Sequence, residues 1–135
     1  MTQRSSRPVI VATRGAPQAI GPYSQAVASG GVVYLSGQIG LDPVTGQLVA
    51  GGVEAEARRA LDNLCAVLQA AGSAPAAVLR TTVFLRDMSD FAKVNAIYAT
   101  VFATEPPARS TVAVKELPRG AAVEIDAIAL VLEQK

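Results

Sequence analysis

Apolar residues recur with two different periods along the chain, and the change from one to the other lays out the expected elements. Over residues 53–71 Val53, Ala57, Ala60, Leu61, Leu64, Leu68 and Ala71 return at spacings of three and four, one face of a helix, and Gly72 stands where such a helix stops. A second stripe of Phe91, Val94, Tyr98, Val101 and Phe102 follows Ser89 as a candidate N-cap and predicts another helix, ended by Pro106 and Pro107. Period two replaces these spacings over residues 78–86, where Thr81, Val83 and Leu85 alternate with Arg80, Thr82, Phe84 and Arg86, as in a strand. Further strands are expected at 9–12, at 32–36 between Gly30-Gly31 and Gly37, at 110–114 and at 122–132. Residues 15–23, dense in Gly and Pro, read as an ordered loop, and 42–46 and 117–120 as turns.

Each strand carries one apolar and one mixed face. Val33 and Leu35, Val83 and Leu85, Val112 and Val114, and Val123, Ile125 and Ala127 are expected to meet the helices, which makes a two-layer α+β sandwich. The opposite face gathers Tyr34, Ser36, Thr82, Phe84, Arg109, Thr111, Glu124 and Asp126 with Ile128, Leu130 and Leu132. Left wet, Phe84 and the last three would form an apolar patch, so an oligomer packed sheet against sheet is expected. Residues 1–8 read as a mobile tail before a single domain at 9–135.

Composition narrows the function. Half of the 135 residues are apolar but only 4% are aromatic, enough for one light core. Twelve basic residues against eleven acidic ones leave +1, without the one-signed field that nucleic-acid binding needs. Charges interrupt every apolar stretch before membrane-spanning length, and no signal-peptide core follows the N-terminus. One cysteine, Cys65, fits a reducing compartment, and the expectation is a cytoplasmic protein. With no histidine, the usual general base, zinc ligand and nucleophile partner is missing, which leaves carboxylates, Arg, Tyr, hydroxyls and backbone groups to do any chemistry. No metal site is expected.

Arg109 and Glu124 interrupt otherwise apolar strands. They form either an ion pair at an oligomer seam or an anion anchor beside a base. The Arg fork matches a carboxylate in two parallel hydrogen bonds, and a nearby Glu can orient or activate water. Tyr23, Asn95 and Ser36 each have a plain structural explanation in a loop, on a helix surface and at a strand end. Cys65, beside Leu61, Leu64 and Leu68, reads as core filler.

Six phrases bring these positions together: Ile20-Gly21-Pro22-Tyr23-Ser24-Gln25-Ala26, Leu35-Ser36-Gly37-Gln38-Ile39, Thr82-Val83-Phe84-Leu85-Arg86-Asp87, Phe91-Ala92-Lys93-Val94-Asn95, Pro107-Ala108-Arg109-Ser110-Thr111-Val112 and Val123-Glu124-Ile125-Asp126-Ala127-Ile128-Ala129. In order and spacing they resemble the RidA/YjgF family over nearly the whole chain. The resemblance implies a chorismate-mutase-like fold, a mixed sheet on two helices, assembled as a homotrimer with ligand clefts between subunits. It implies cofactor-free hydrolysis of 2-imino acids and their enamine tautomers, such as 2-aminoacrylate/2-iminopropanoate and 2-iminobutanoate, to 2-oxo acids and ammonia. By residue it puts the substrate carboxylate on Arg109 and the attacking water on Glu124, with Tyr23, Ser36, Gly37, Asn95 and Thr111 lining the cleft. Thr111 stands where many members have Cys. Three alternatives stay open: a trimer that binds a small carboxylate without turning it over, a ribonuclease or translation inhibitor, and a chaperone-like surface role, for which the sequence shows no specific feature.

Overall fold

The computed structural model describes residues 7–132; most of the expected 1–8 tail and the last three residues of the expected domain lie outside the described residues. Its elements are β1 (Val9–Val11), β2 (Ala26–Ser29), β3 (Val32–Gln38), α1 (Gly52–Ala70), β4 (Val78–Leu85), α2 (Phe91–Tyr98), β5 (Ala108–Ala113) and β6 (Val123–Leu130). The strands form one sheet in the order β1-β2-β3-β6-β4-β5, antiparallel except for the parallel pair β4 and β5. Both helices pack on one side of it, as the alternation predicted. No helix among the described residues is long and apolar enough to cross a membrane.

The core is the contact between α1 and the central strands. Leu61, Leu64, Val67 and Leu68 are fully buried against Val33, Val83, Leu85, Val123 and Ile125. Shortening a side chain at such a site to alanine typically costs about 2–5 kcal/mol. Helix α1 stops as expected, with Gly72 at φ 76°, the Gly72 N–H donating to the Gln69 carbonyl and the Ser73 N–H to that of Leu68. The Ser73 hydroxyl then donates to the Leu130 carbonyl at 2.6 Å and ties the helix end to β6. Two buried polar side chains on α1 hold the loops at its other end. Asn63 donates to the carbonyls of Ile39 and Leu41, and Glu56 accepts the Ala122 N–H at 2.8 Å.

Three local expectations need correction. Strand β2 was not anticipated, although Gly30 and Gly31, both with positive φ, join Ala26–Ser29 to β3 as a tight hairpin. Ser89 is not a helix N-cap: its N–H donates to the Asp87 carboxylate, a 3₁₀ turn spans Met88–Asp90, and α2 ends at Tyr98. Phe102 lies beyond the helix but stays in the core, its ring centroid 4.7 Å from that of Tyr98.

The third correction concerns β5. Its register pairs Arg109 with Thr81 and Thr111 with Val83, while Val112 pairs with Phe84. Residues paired across strands point to one face, so Arg109 and Thr111 are on the helix side and Val112 is on the open side, 41% exposed. Apolarity misassigned the faces because β5 is the sheet edge next to short α2. There the helix-side layer is thin enough to carry polar groups.

Candidate active site

Glu124 stands on the open face of β6, paired with Phe84. Beside it, β3 pairs with β6 through Leu35 and Ala127 and next through Gln38 and Ile125, so Ser36 and Gly37 both oppose Asp126. This is a bulge. Strict alternation would turn Gly37 away from Ser36; the extra residue lets both line the cleft and returns Gln38 to the register of the core residue Ile125. The cleft, about 490 Å³, is walled by these two, Tyr23, Ile20, Arg119 and Glu124. Burial first, and then the like charge of Asp126, pushes the half-buried Glu124 carboxyl above its ordinary value.

The wall that carries Tyr23 is built by Ser36 and Gln25. The Ser36 hydroxyl donates to the Ser24 carbonyl at 2.6 Å, and its N–H to the Gln25 carbonyl at 2.9 Å. Ser36 thus holds the chain next to Tyr23, with its proton already committed. Gln25, only 4% exposed, accepts the Thr13 N–H at 2.7 Å and donates to the carbonyls of Thr13 and Pro17 at 3.1 and 2.7 Å. The loop between these anchors leaves Tyr23 54% exposed at the cleft.

Arg109 belongs to a different place. Its guanidinium carbon lies 4.6 Å from the Tyr98 ring centroid and 5.7 Å from that of Phe91. Aromatic faces attract a cation without competing for its N–H donors, so the fork is oriented and still free to bind an anion. Tyr98 is itself fixed, its hydroxyl 2.7 Å from that of buried Thr81. Asn95 and Thr111 line the same crevice between α2 and β5, which within one chain is too narrow to admit a water molecule.

The seven expected site residues therefore form two groups. Tyr23, Ser36, Gly37 and Glu124 surround one cleft; Asn95, Arg109 and Thr111 share a crevice on the other side of the sheet. The expectation that Arg109, Thr111 and Glu124 share a sheet face is overturned by the β5 register. Within the chain, Arg109 and Glu124 form no ion pair. Sequence reading also missed Gln25, Phe91, Tyr98 and Arg119. Phe91 and Tyr98 were legible only as a helix stripe, while Arg119, at φ 62° with its Nη2 donating to the Gly46 carbonyl, sits in a turn with no periodic signal. Cys65 is half-buried, and burial pushes its thiol up and away from the reactive thiolate.

Comparison with known proteins gives this arrangement its context. Residues 13–131 match the family described as endoribonuclease L-PSP. The chain is 54% identical over 121 residues to the mouse (Mus musculus) protein named 2-iminobutanoate/2-iminopropanoate deaminase, covering 90% of each. Its fold superposes on the Rid-family protein YyfA from Yersinia pestis with a TM-score of 0.90 at 46% identity, over 93% of this chain and 100% of that one. It also superposes on E. coli TdcF, solved with bound serine, with a TM-score of 0.85 at 42% identity, over 90% of this chain and 98% of that one. With the six phrases in register and a match over residues 13–131, the chain belongs to the RidA/YjgF family, the endoribonuclease L-PSP family of the matching model.

Proposed function

We propose that the chain is a hydrolytic deaminase of 2-imino acids, including 2-iminopropanoate and 2-iminobutanoate, acting in the cytoplasm as a homotrimer. The observation that carries this reading is the division of the site: the Glu124 cleft holds a base and, as its cation, Arg119, whose Nη2 is given to the Gly46 carbonyl, while the Arg109 crevice holds a cation without a base. Two copies related by a rotation can complete both, the Glu124 cleft of one closing on the Arg109 crevice of the next. The mouse relative's name supports the reaction, and the serine bound in E. coli TdcF carries the α-carboxylate that an Arg fork recognises.

The chemistry asks little of the protein. An imino carbon is already electrophilic, so the site fixes the carboxylate and delivers water. Arg109 takes the carboxylate in two parallel hydrogen bonds, and Tyr23 and Asn95 border the remainder of the substrate. Glu124, whose raised basicity suits proton uptake, accepts a proton as the water oxygen bonds to the imino carbon. The C–N bond then breaks, a carbonyl forms and ammonia departs with the proton returned to nitrogen. Water and imine go in, 2-oxo acid and ammonia come out; no electron changes hands and the reaction calls for no cofactor.

An ammonia-release assay with freshly generated 2-iminobutanoate tests the reaction, with an RNA-cleavage assay run beside it. Arg109→Ala should lose about two to four orders of magnitude, since each charged hydrogen bond is worth roughly 1.5–3 kcal/mol. Glu124→Gln should also be inactive. Mixing those two inactive chains and letting subunits exchange should restore up to about a quarter of wild-type activity, the share of clefts that receive an intact Glu124 and an intact Arg109. No recovery after verified exchange would place both groups' action within one chain and overturn the shared cleft. RNA cleavage without ammonia release would overturn the deaminase.

A further inference from the structure

Gly37 is a glycine for a reason that its backbone does not supply. Eight glycines of the chain have positive φ, where side chains are strained, and Gly37 is not among them. Any L-residue could adopt its conformation. What a side chain would meet is Glu124: an ideal Cβ on Gly37 would lie 2.7 Å from the Glu124 Cδ and 2.9 Å from its Cγ, and closer still to Oε2. The carboxylate therefore rests directly against the bulge backbone, in space that only the missing Cβ leaves open. Gly40, also without positive φ, differs in kind, because its Cβ would strike the Glu56 backbone, which cannot move aside.

From this contact we infer that Gly37 is a positioning residue for the Glu124 carboxylate. The inference rests on the reading of Glu124 as the base. A methyl group at position 37 would push on the far end of a flexible side chain, so the fold survives and Glu124 swings out of its place beside the bulge. Once displaced, the carboxylate gains water and loses its aim at the substrate carbon. Within one chain the other charged or titratable groups near Glu124 are Asp126 on the same strand, Arg119 in the turn before β6 and Tyr23 in the facing loop, and the proposed assembly adds Arg109 of the next copy. The three heavy atoms that a methyl group at position 37 would meet first all belong to Glu124.

The test is Gly37→Ala, checked to have the wild-type oligomeric state and circular dichroism, and assayed by ammonia release across pH. Misplacement of a reacting group by about 1 Å costs on the order of a hundredfold. A fall of that size is expected in kcat with KM nearly unchanged, because the carboxylate anchor is untouched. Carbon-13 NMR of the labelled Glu124 carboxyl should show its titration moving down toward the ordinary glutamate value in Gly37→Ala, independently of turnover. Gly37→Ala added to Glu124→Ala should cost nothing further. Wild-type kcat in Gly37→Ala, or a loss of activity with the Glu124 titration unmoved, would overturn the inference. Full turnover in Glu124→Gln would instead remove Glu124 as the base, whatever the NMR titration reports about the contact.

Discussion

Glu124 and Arg109 are both half-buried charges, but the chain treats them in opposite ways. Arg109 is compensated by two aromatic faces, whereas Glu124 is desolvated beside Asp126 and held above the ordinary carboxylate range. The sign of the linkage follows. A carboxyl whose folded pKa is raised favours the protonated form, so its ionisation costs stability as pH rises through the folded value, and that cost vanishes below the unfolded value. Glu124→Gln removes the cost, and its melting temperature should match or exceed that of the wild type at neutral pH, the two converging below about pH 4. Wild-type kcat should fall on the acid side at a pH above the ordinary glutamate value, as the base takes up its proton. Thermal melts and rate profiles over the same pH series check both. A Glu124→Gln chain that melts well below wild type at neutral pH would make Glu124 the stabilising half of an ion pair and not a base.

Both helices, the long alternating strands and the helix stop at Gly72 were readable because burial on one face imposes a period on the residues, and a period survives without any knowledge of neighbours. Where the period breaks, sequence reading broke with it. The bulge at Ser36 and Gly37 adds one residue to β3 and sends two neighbours to one side, so the expected strand stopped at Ser36 although β3 runs to Gln38. The face of β5 depends on its parallel register with β4, a long-range fact that Arg109, Ser110 and Thr111 do not encode locally. Gln25 was visible inside a family phrase, yet nothing local reveals that it clamps the loop before it. Gln25→Glu puts a carboxylate where donors face the Thr13 and Pro17 carbonyls. An unsatisfied buried polar group costs about 1–3 kcal/mol, so the melting temperature should fall by several degrees and limited proteolysis should open the chain within residues 13–23. Unchanged melting and protease resistance would show that the loop holds itself without the clamp.

On the whole molecule, one side of the sheet has two helices, and the other has no helix among the described residues. Tyr34 is 52% and Leu130 44% exposed there, and Val112 extends the same face past half-buried Phe84 and Ile128. Such a patch is unfavourable in water, and the division of the site gives a second reason for another copy to cover it: neither half completes the chemistry alone. Leu130 tests both reasons at once. It sits on β6 in register with Val32, away from the Glu124 cleft and the Arg109 crevice, so a change there touches neither group directly. Leu130→Asp would put an unpaired charge into a dry contact, a penalty of several kcal/mol if that face is buried in the assembly. Sedimentation should then report chains near 13.9 kDa in place of a trimer, and ammonia release should fall with the trimer fraction. Raising the protein concentration should restore assembly and activity in step, since both follow mass action. A fully active Leu130→Asp trimer would move the seam off this face, and a monomer with wild-type activity would mean that a single chain assembles the whole site.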